Sequence, residues 1–202
     1  MIRPFGESAL LVELGSADQA QALAAVLRND PPPGTLELVP GLASLLVELD
    51  SLTADPERIA TLIEHRLAGL GPMRPSGRLH TIAVVYDGPD LDEVAALIGR
   101  SGSEVAALHA LVELRVLFCG FAPGFAYLGD LPPELQVDRL ATPRVRTPAG
   151  SVAIAGPMSG IYPADLPGGW RVIGRTDVSL FDARRNPPAR FLPGDRVRFT
   201  PA

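Results

Sequence analysis

Apolar residues crowd together between Ser8 and Leu14, then settle into a three- and four-residue spacing at Ala20, Leu23, Val26 and Leu27. The first pattern predicts a short strand, the second one face of a helix. Ser16 followed by Gln19 has the capping-box form that opens such a helix, and Pro31-Pro32-Pro33-Gly34 closes it. Leu36–Val39 and Leu42–Leu49 flank a Pro40-Gly41 turn and predict a hairpin. Asp55 before Pro56 predicts an N-cap with proline in the first helical turn, and Ile59, Leu62, Ile63, Leu67 and Leu70 supply the apolar stripe of that helix. The order is βαββα, an α+β layer with two helices on one face of a small sheet.

Gly71-Pro72-Met73-Arg74-Pro75-Ser76-Gly77 then breaks every periodicity, so the boundary is drawn there: an α+β domain over 1–77 and a second domain over 78–202. His80–Tyr86 alternates as a strand. Asp90 with Glu93 and Ser101 with Glu104 are two further capping-box patterns, opening a helix over Leu91–Ile98 and a short one ending near His109. From Glu113 onward short apolar runs alternate with Gly/Pro turns: Glu113–Cys119, Ser151–Ala155, Trp170–Gly174, Ser179–Phe181 and Asp195–Thr200. That pattern predicts a mainly-β barrel or sandwich.

Composition narrows the chemistry. Of 202 residues, 47% are hydrophobic and 20% charged, with no apolar run of membrane-spanning length, so a globular chain with no membrane partner is expected. The start MIRPFGES has no apolar core for a secretory signal, and the lone Cys119 excludes an internal disulfide; both point to the cytoplasm. All 18 basic residues are arginine, which removes a P-loop lysine, a Schiff base and a Ser-Lys dyad from consideration. Residues 1–99 carry 14 acids against 6 arginines, and residues 100–202 carry 12 arginines against 9 acids. The arginines are scattered among glycine turns, an arrangement suited to small anions or a protein surface and not to nucleic acid. The three histidines and one cysteine have no metal-ligand spacing.

The candidate chemistry gathers between Gly120 and Thr176, which reads GFAPGFAYLG, TPRVRTPAGSVAIAG and GIYPADLPGGWRVIGRT. Gly120–Tyr127 is either a site wall or a tight loop with its rings tucked into the barrel; Phe125 and Tyr127 are the expected exposed pair, with Phe121 continuing the apolar strand before it. Arg144 and Arg146, two apart in an extended segment, would share a side and could clamp a carboxylate or phosphate, or simply line a solvated edge. Tyr162 and Trp170 sit beside glycine turns as anchors or as core, and Arg175 follows the Trp170 strand closely enough to share its site. His109 stands near a helix C-terminus, where the macrodipole favours its charged form, and is the candidate general acid or base. His65 and His80 read as surface residues. Neither Ser151 nor Ser159 sits in a nucleophile elbow.

The same segments, together with FGESALLVELG at Phe5–Gly15, VVYDGPDLDEVAALIG at Val84–Gly99, Ala107-Leu108-His109 and PGDRVRFTP at Pro193–Pro201, resemble the B-type subunit of the bacterial ATP-dependent 5-oxoprolinase. That family is also labelled allophanate hydrolase subunit 1 and kinase inhibitor KipI. The resemblance runs in order along essentially the whole chain. It implies a cyclophilin-like barrel after the α+β domain, and a protein that opens 5-oxoproline to L-glutamate only together with an A-type subunit and a related C-type barrel subunit, in a heterotetramer of two B–C pairs. ATP would be consumed by the complex. It implies anion clamping by Arg144, Arg146 and Arg175 and stacking by Tyr127, Tyr162 and Trp170. An allophanate hydrolase-like role, or binding to a sensor histidine kinase, are the alternatives it carries. One departure stands out: the family's Gly-Asn-Gln-Thr-Gly is Gly156-Pro157-Met158-Ser159-Gly160 here, which removes an amide pair.

Overall fold

The computed structural model describes residues 1–71 and 77–202, so the predicted linker lies, but for Gly71 and Gly77, outside the described residues. These fall into two compact units, one on either side of residues 72–76.

In the first unit, strands β1 (Ile2–Pro4), β2 (Ala9–Glu13), β3 (Thr35–Pro40) and β4 (Ser44–Leu49) form an antiparallel sheet in the order β1-β2-β4-β3. Helices α1 (Ala17–Asn29) and α2 (Pro56–Ala68) pack on one face of it. Strand alternation sends Leu10, Val12, Leu45 and Val47 to that face, where they meet Leu23 and Leu27 of α1 and Ile59 and Ile63 of α2. Ser16 Oγ accepts the Gln19 amide at 3.3 Å and Asp55 accepts the Arg58 amide at 3.1 Å, so both predicted caps form. Two expectations change. Strand β1, whose run is too short and too polar to announce itself, precedes the predicted order. Val26 is not on the buried face of α1, because the helix turns Ala20, Leu23, Ala24 and Leu27 inward instead.

The second unit contains β5 (Leu79–Val84), α3 (Leu91–Leu97), α4 (Gly102–Leu111), β6 (Glu113–Cys119), β7 (Ala126–Gly129), β8 (Arg144–Thr147), β9 (Ser151–Ala155), β10 (Met158–Ile161), β11 (Leu166–Gly168), β12 (Arg171–Arg175) and β13 (Arg196–Pro201). Seven strands form one sheet in the order β12-β9-β10-β7-β6-β13-β5, antiparallel except for the β13–β5 pair. The two ends of this sheet meet. Just past β5, the Val85 and Arg175 amides and carbonyls exchange hydrogen bonds of 2.9 Å, making the sheet nearly closed and barrel-like. Gly174 permits that approach, since a Cβ there would stand 2.6 Å from the Val85 carbonyl oxygen. The interior is filled by Ile82, Leu114, Val116, Leu128, Ile154 and Phe199, with α4 against β13. Strands β8 and β11 pair separately as a two-stranded ribbon.

Several local readings need correction here. Ser101 and Glu104 form the full capping box of α4, but Asp90 does not cap α3 with its side chain. One oxygen of its carboxylate takes Arg144 at 2.5 Å and the other takes the Val172 amide at 2.7 Å. Ser179–Phe181 is not a strand; only a single bridge joins Phe181 to Ala189. His80 is not a surface residue: its Nε2 lies 2.9 Å from Asp195, with its ring edge-on to Phe191.

Candidate functional site

The loop after β6 makes a sharp reversal. Phe121 adopts φ 72°, a left-handed conformation unusual for a bulky side chain, and Gly124 follows at φ 85°. This reversal exchanges the roles expected of two phenylalanines. Phe121 is 58% exposed, whereas Phe125 is 2% exposed and sits among Tyr127, Tyr162 and Trp170. The alternation of β6 stops at Cys119, so the strand pattern that predicts a buried Phe121 does not reach it.

Four predicted residues therefore come together. Phe125 stands edge-on to Tyr162 and Trp170, each with ring centroids 5.6 Å away, and Tyr127 stands edge-on to Trp170 at 5.7 Å. Near-perpendicular rings are the favoured packing for aromatic quadrupoles, and here they form the walls of a cavity of about 310 Å³. Phe121 and Pro143 complete its apolar rim, and Gly168 and Gly169 bring backbone to its edge. Arg139, absent from the sequence-based candidates, also lines it. Burial raises the phenols of Tyr127 and Tyr162 above their usual range, while the charge of Arg139 pulls both the other way. The only sequence signal for Arg139 was its place just before the Thr142-Pro143 turn.

Arg175 does not share that cavity. With Arg144 it lines a second one of about 250 Å³, beside Asp87, Thr147 and Ser151. Both guanidiniums there are already paired, Arg144 with the buried Asp90 and Arg175 with Asp87 at 3.0 Å. Arg146, 74% exposed, is held instead by Asp165, whose carboxyl is kept below its usual range first by the Ala149 amide and then by Arg146. The two arginines of the expected clamp thus engage different carboxylates, because Arg144 reaches inward to the segment after β5 while Arg146 stays on the open ribbon.

His109 lies apart from both cavities, fully buried on α4 and stacked on Phe199 with centroids 4.4 Å apart. Ser159 Oγ donates to the Ala153 carbonyl, so it accepts from His109 Nε2 at 2.9 Å; Nδ1 is left to accept the Tyr86 hydroxyl at 2.8 Å. The helix C-terminus was expected to favour the charged ring. Burial outweighs it and pushes the imidazole down to about 3, so the ring is neutral at pH 7. Ser159 occupies the hydroxyl position of the altered Gly156–Gly160 motif, and Met158 packs against the aromatic cluster. Cys119 is half-buried, with its thiol pushed up to about 11 by burial, which makes it a poor nucleophile. Among the described residues no cluster of three or more metal-ligating side chains forms, and no helix is long and apolar enough to cross a membrane.

The family of the carboxyltransferase domain, subdomain C and D, matches residues 1–191. The B-type subunit of 5-oxoprolinase from Escherichia coli O157:H7 is 43% identical over 207 residues, covering 97% of this chain and 93% of that protein. The crystal structure of TTHA0988 superposes with a TM-score of 0.85 at 39% identity; it covers all of this chain, which spans only 40% of that longer one. The K. lactis urea amidolyase shares the fold, with a TM-score of 0.80 at 19% identity, over 100% of this chain and 15% of that one. The chain belongs to the carboxyltransferase subdomain C and D family, among proteins named as the B-type subunit of 5-oxoprolinase.

Proposed function

We propose that this chain is the B-type subunit of an ATP-dependent 5-oxoprolinase, and that its aromatic cavity receives the substrate. In the net reaction water adds across the ring C–N bond of 5-oxoproline to give L-glutamate, while ATP is hydrolysed to ADP and phosphate. The observation that carries the reading is the cavity itself: five aromatic rings and an arginine suit a flat amide ring bearing a carboxylate, and its lining holds no nucleophile or general base. Such a site binds without completing the chemistry. The remaining groups would come from A- and C-type subunits, with ATP consumed by the assembled complex in the cytoplasm. That the chain corresponds to 40% of a longer protein supports the partnership, since an equivalent module exists there joined to further sequence.

In the same proposal, residues 1–77 and 78–202 are separate domains and the nearly closed seven-stranded sheet is a cyclophilin-like barrel. His109 acts through structure, as a neutral link between α4 and β10.

The test is a coupled assay for ADP and glutamate on the purified chain, then with A- and C-type subunits added. Turnover only after both additions is the expected result. Turnover by the chain alone would overturn the shared division of labour. No turnover in any combination, with inhibition of a sensor histidine kinase instead, would give the exposed Phe121 loop a docking role and the chain a binding function.

A further inference from the structure

We propose that Arg139 is the residue of this chain that recognises the carboxylate of its ligand, so that the aromatic cavity selects a small cyclic carboxylic acid over its neutral counterpart. The proposal rests on the cavity being the substrate site and adds the group that sets its specificity.

Most arginines of the second unit have a countercharge, and the one that lines the aromatic cavity does not. Arg115, Arg144, Arg146, Arg171, Arg175 and Arg196 each have a carboxylate partner. Arg139 lines the aromatic cavity and, among the described residues, forms no ion pair. Its side chain is free, but its backbone is pinned on both sides. The Asp138 carbonyl accepts Arg171 Nε at 2.9 Å, and the Leu140 amide donates to the Gly169 carbonyl at 2.8 Å. Gly169 is itself a wall of the cavity, so the second tether ties the arginine's backbone to the site it faces. Arg171 is in turn fixed by Glu93 at 2.7 Å. A guanidinium with an anchored base, an open fork and an apolar floor is preorganised for a planar carboxylate, which it can meet through two parallel N–H···O bonds. It lines the same cavity as the Tyr127 and Tyr162 rings, and its charge lowers both phenols against the effect of burial.

Trp170 is the only tryptophan of the chain and a wall of this cavity, so its fluorescence reports occupancy. The full chain is titrated with 5-oxoproline and with its neutral carboxamide, for wild type, Arg139→Gln, Arg139→Lys and, as a control outside the cavity lining, Arg190→Gln. The acid should bind at least ten-fold more tightly than the amide. Arg139→Gln should remove that preference by weakening the acid alone, Arg139→Lys should keep part of it, and Arg190→Gln should keep all of it. Equal affinities for acid and amide in the wild type, an unchanged preference in Arg139→Gln, or no response of Trp170 to either compound would overturn the proposal. In the assembled enzyme, an unchanged KM in Arg139→Gln would sink the role of Arg139 while leaving the assignment of the chain to the complex standing.

Discussion

Arg144 meets Asp90 at 2.5 Å, and the Asp90 carboxylate is almost fully buried while its arginine partner is only partly so. With the Val172 amide on its other oxygen, Asp90 joins β8, β12 and the start of α3 at one point. Removing the guanidinium leaves a buried charge with one hydrogen bond. Breaking a fully buried pair costs about 3–5 kcal/mol, and the partial exposure here lowers that to about 2. Arg144→Ala should therefore lower the Tm by about 4–8 °C. Adding Asp90→Asn should recover part of the loss, because the amide needs no countercharge. A Tm unchanged in Arg144→Ala, with activity of the complex lost, would show instead that the arginine is held for a ligand.

The buried His109 makes stability depend on pH. Its folded value is pushed down to about 3 from the ordinary 6.5, so the unfolded chain takes up a proton that the folded chain refuses. This contribution is complete above about pH 6.5 and is lost as pH falls toward 3, at up to about 1.4 kcal/mol per pH unit. His109→Gln should lower stability at every pH, since the Tyr86 and Ser159 bonds are disturbed, but should flatten the slope between pH 6 and 5. Denaturant melts across that range read the slope directly. If it persists in the variant, the proton is taken up elsewhere.

Much of the framework was legible because it is local. Caps at Ser16, Asp55 and Ser101, the β3–β4 hairpin, and strands β6 and β9 follow from short-range pattern alone. What could not be read is long-range. The Asp90-Glu93 pattern is a sound capping box by spacing, yet Arg144, 54 positions away, takes the carboxylate. The parallel pairing of β13 with β5 has no sequence signature. At the site, rings beside glycines marked the cavity, but which phenylalanine turns inward depended on one left-handed residue, and Arg139 became notable only once every neighbouring arginine was seen to be paired.

That left-handed residue has its own test. At an ordinary position alanine is tolerated better than glycine, because glycine gains more freedom on unfolding. At φ 72° the order should reverse, since a Cβ there costs about 1–2 kcal/mol and glycine relieves it. Phe121→Gly should melt above Phe121→Ala, although both lose the same exposed ring. Alanine melting higher would mean that the reversal after β6 relaxes without its native backbone.

Gly168 and Gly169 are adjacent, and the structure assigns them opposite tolerances. A Cβ on Gly168 would run into the Tyr162 hydroxyl, whereas one on Gly169 would rest against Pro143 at an ordinary 3.6 Å. Tyr162 cannot yield easily: its ring is buried edge-on to Phe125 and its hydroxyl receives the Trp170 amide. Gly168→Ala must therefore either turn the Tyr162 ring into the cavity or part β11 from β8, and overpacking of this kind costs about 1–3 kcal/mol. The expected result is a Tm lower by about 3–8 °C, a shifted Trp170 emission and ligand affinity reduced about ten-fold, while Gly169→Ala keeps its Tm within about 2 °C of wild type. Crystal structures of both variants would locate the Tyr162 ring. Should Gly168→Ala melt and bind like the wild type, the close approach of β11 to Tyr162 is not what shapes the cavity.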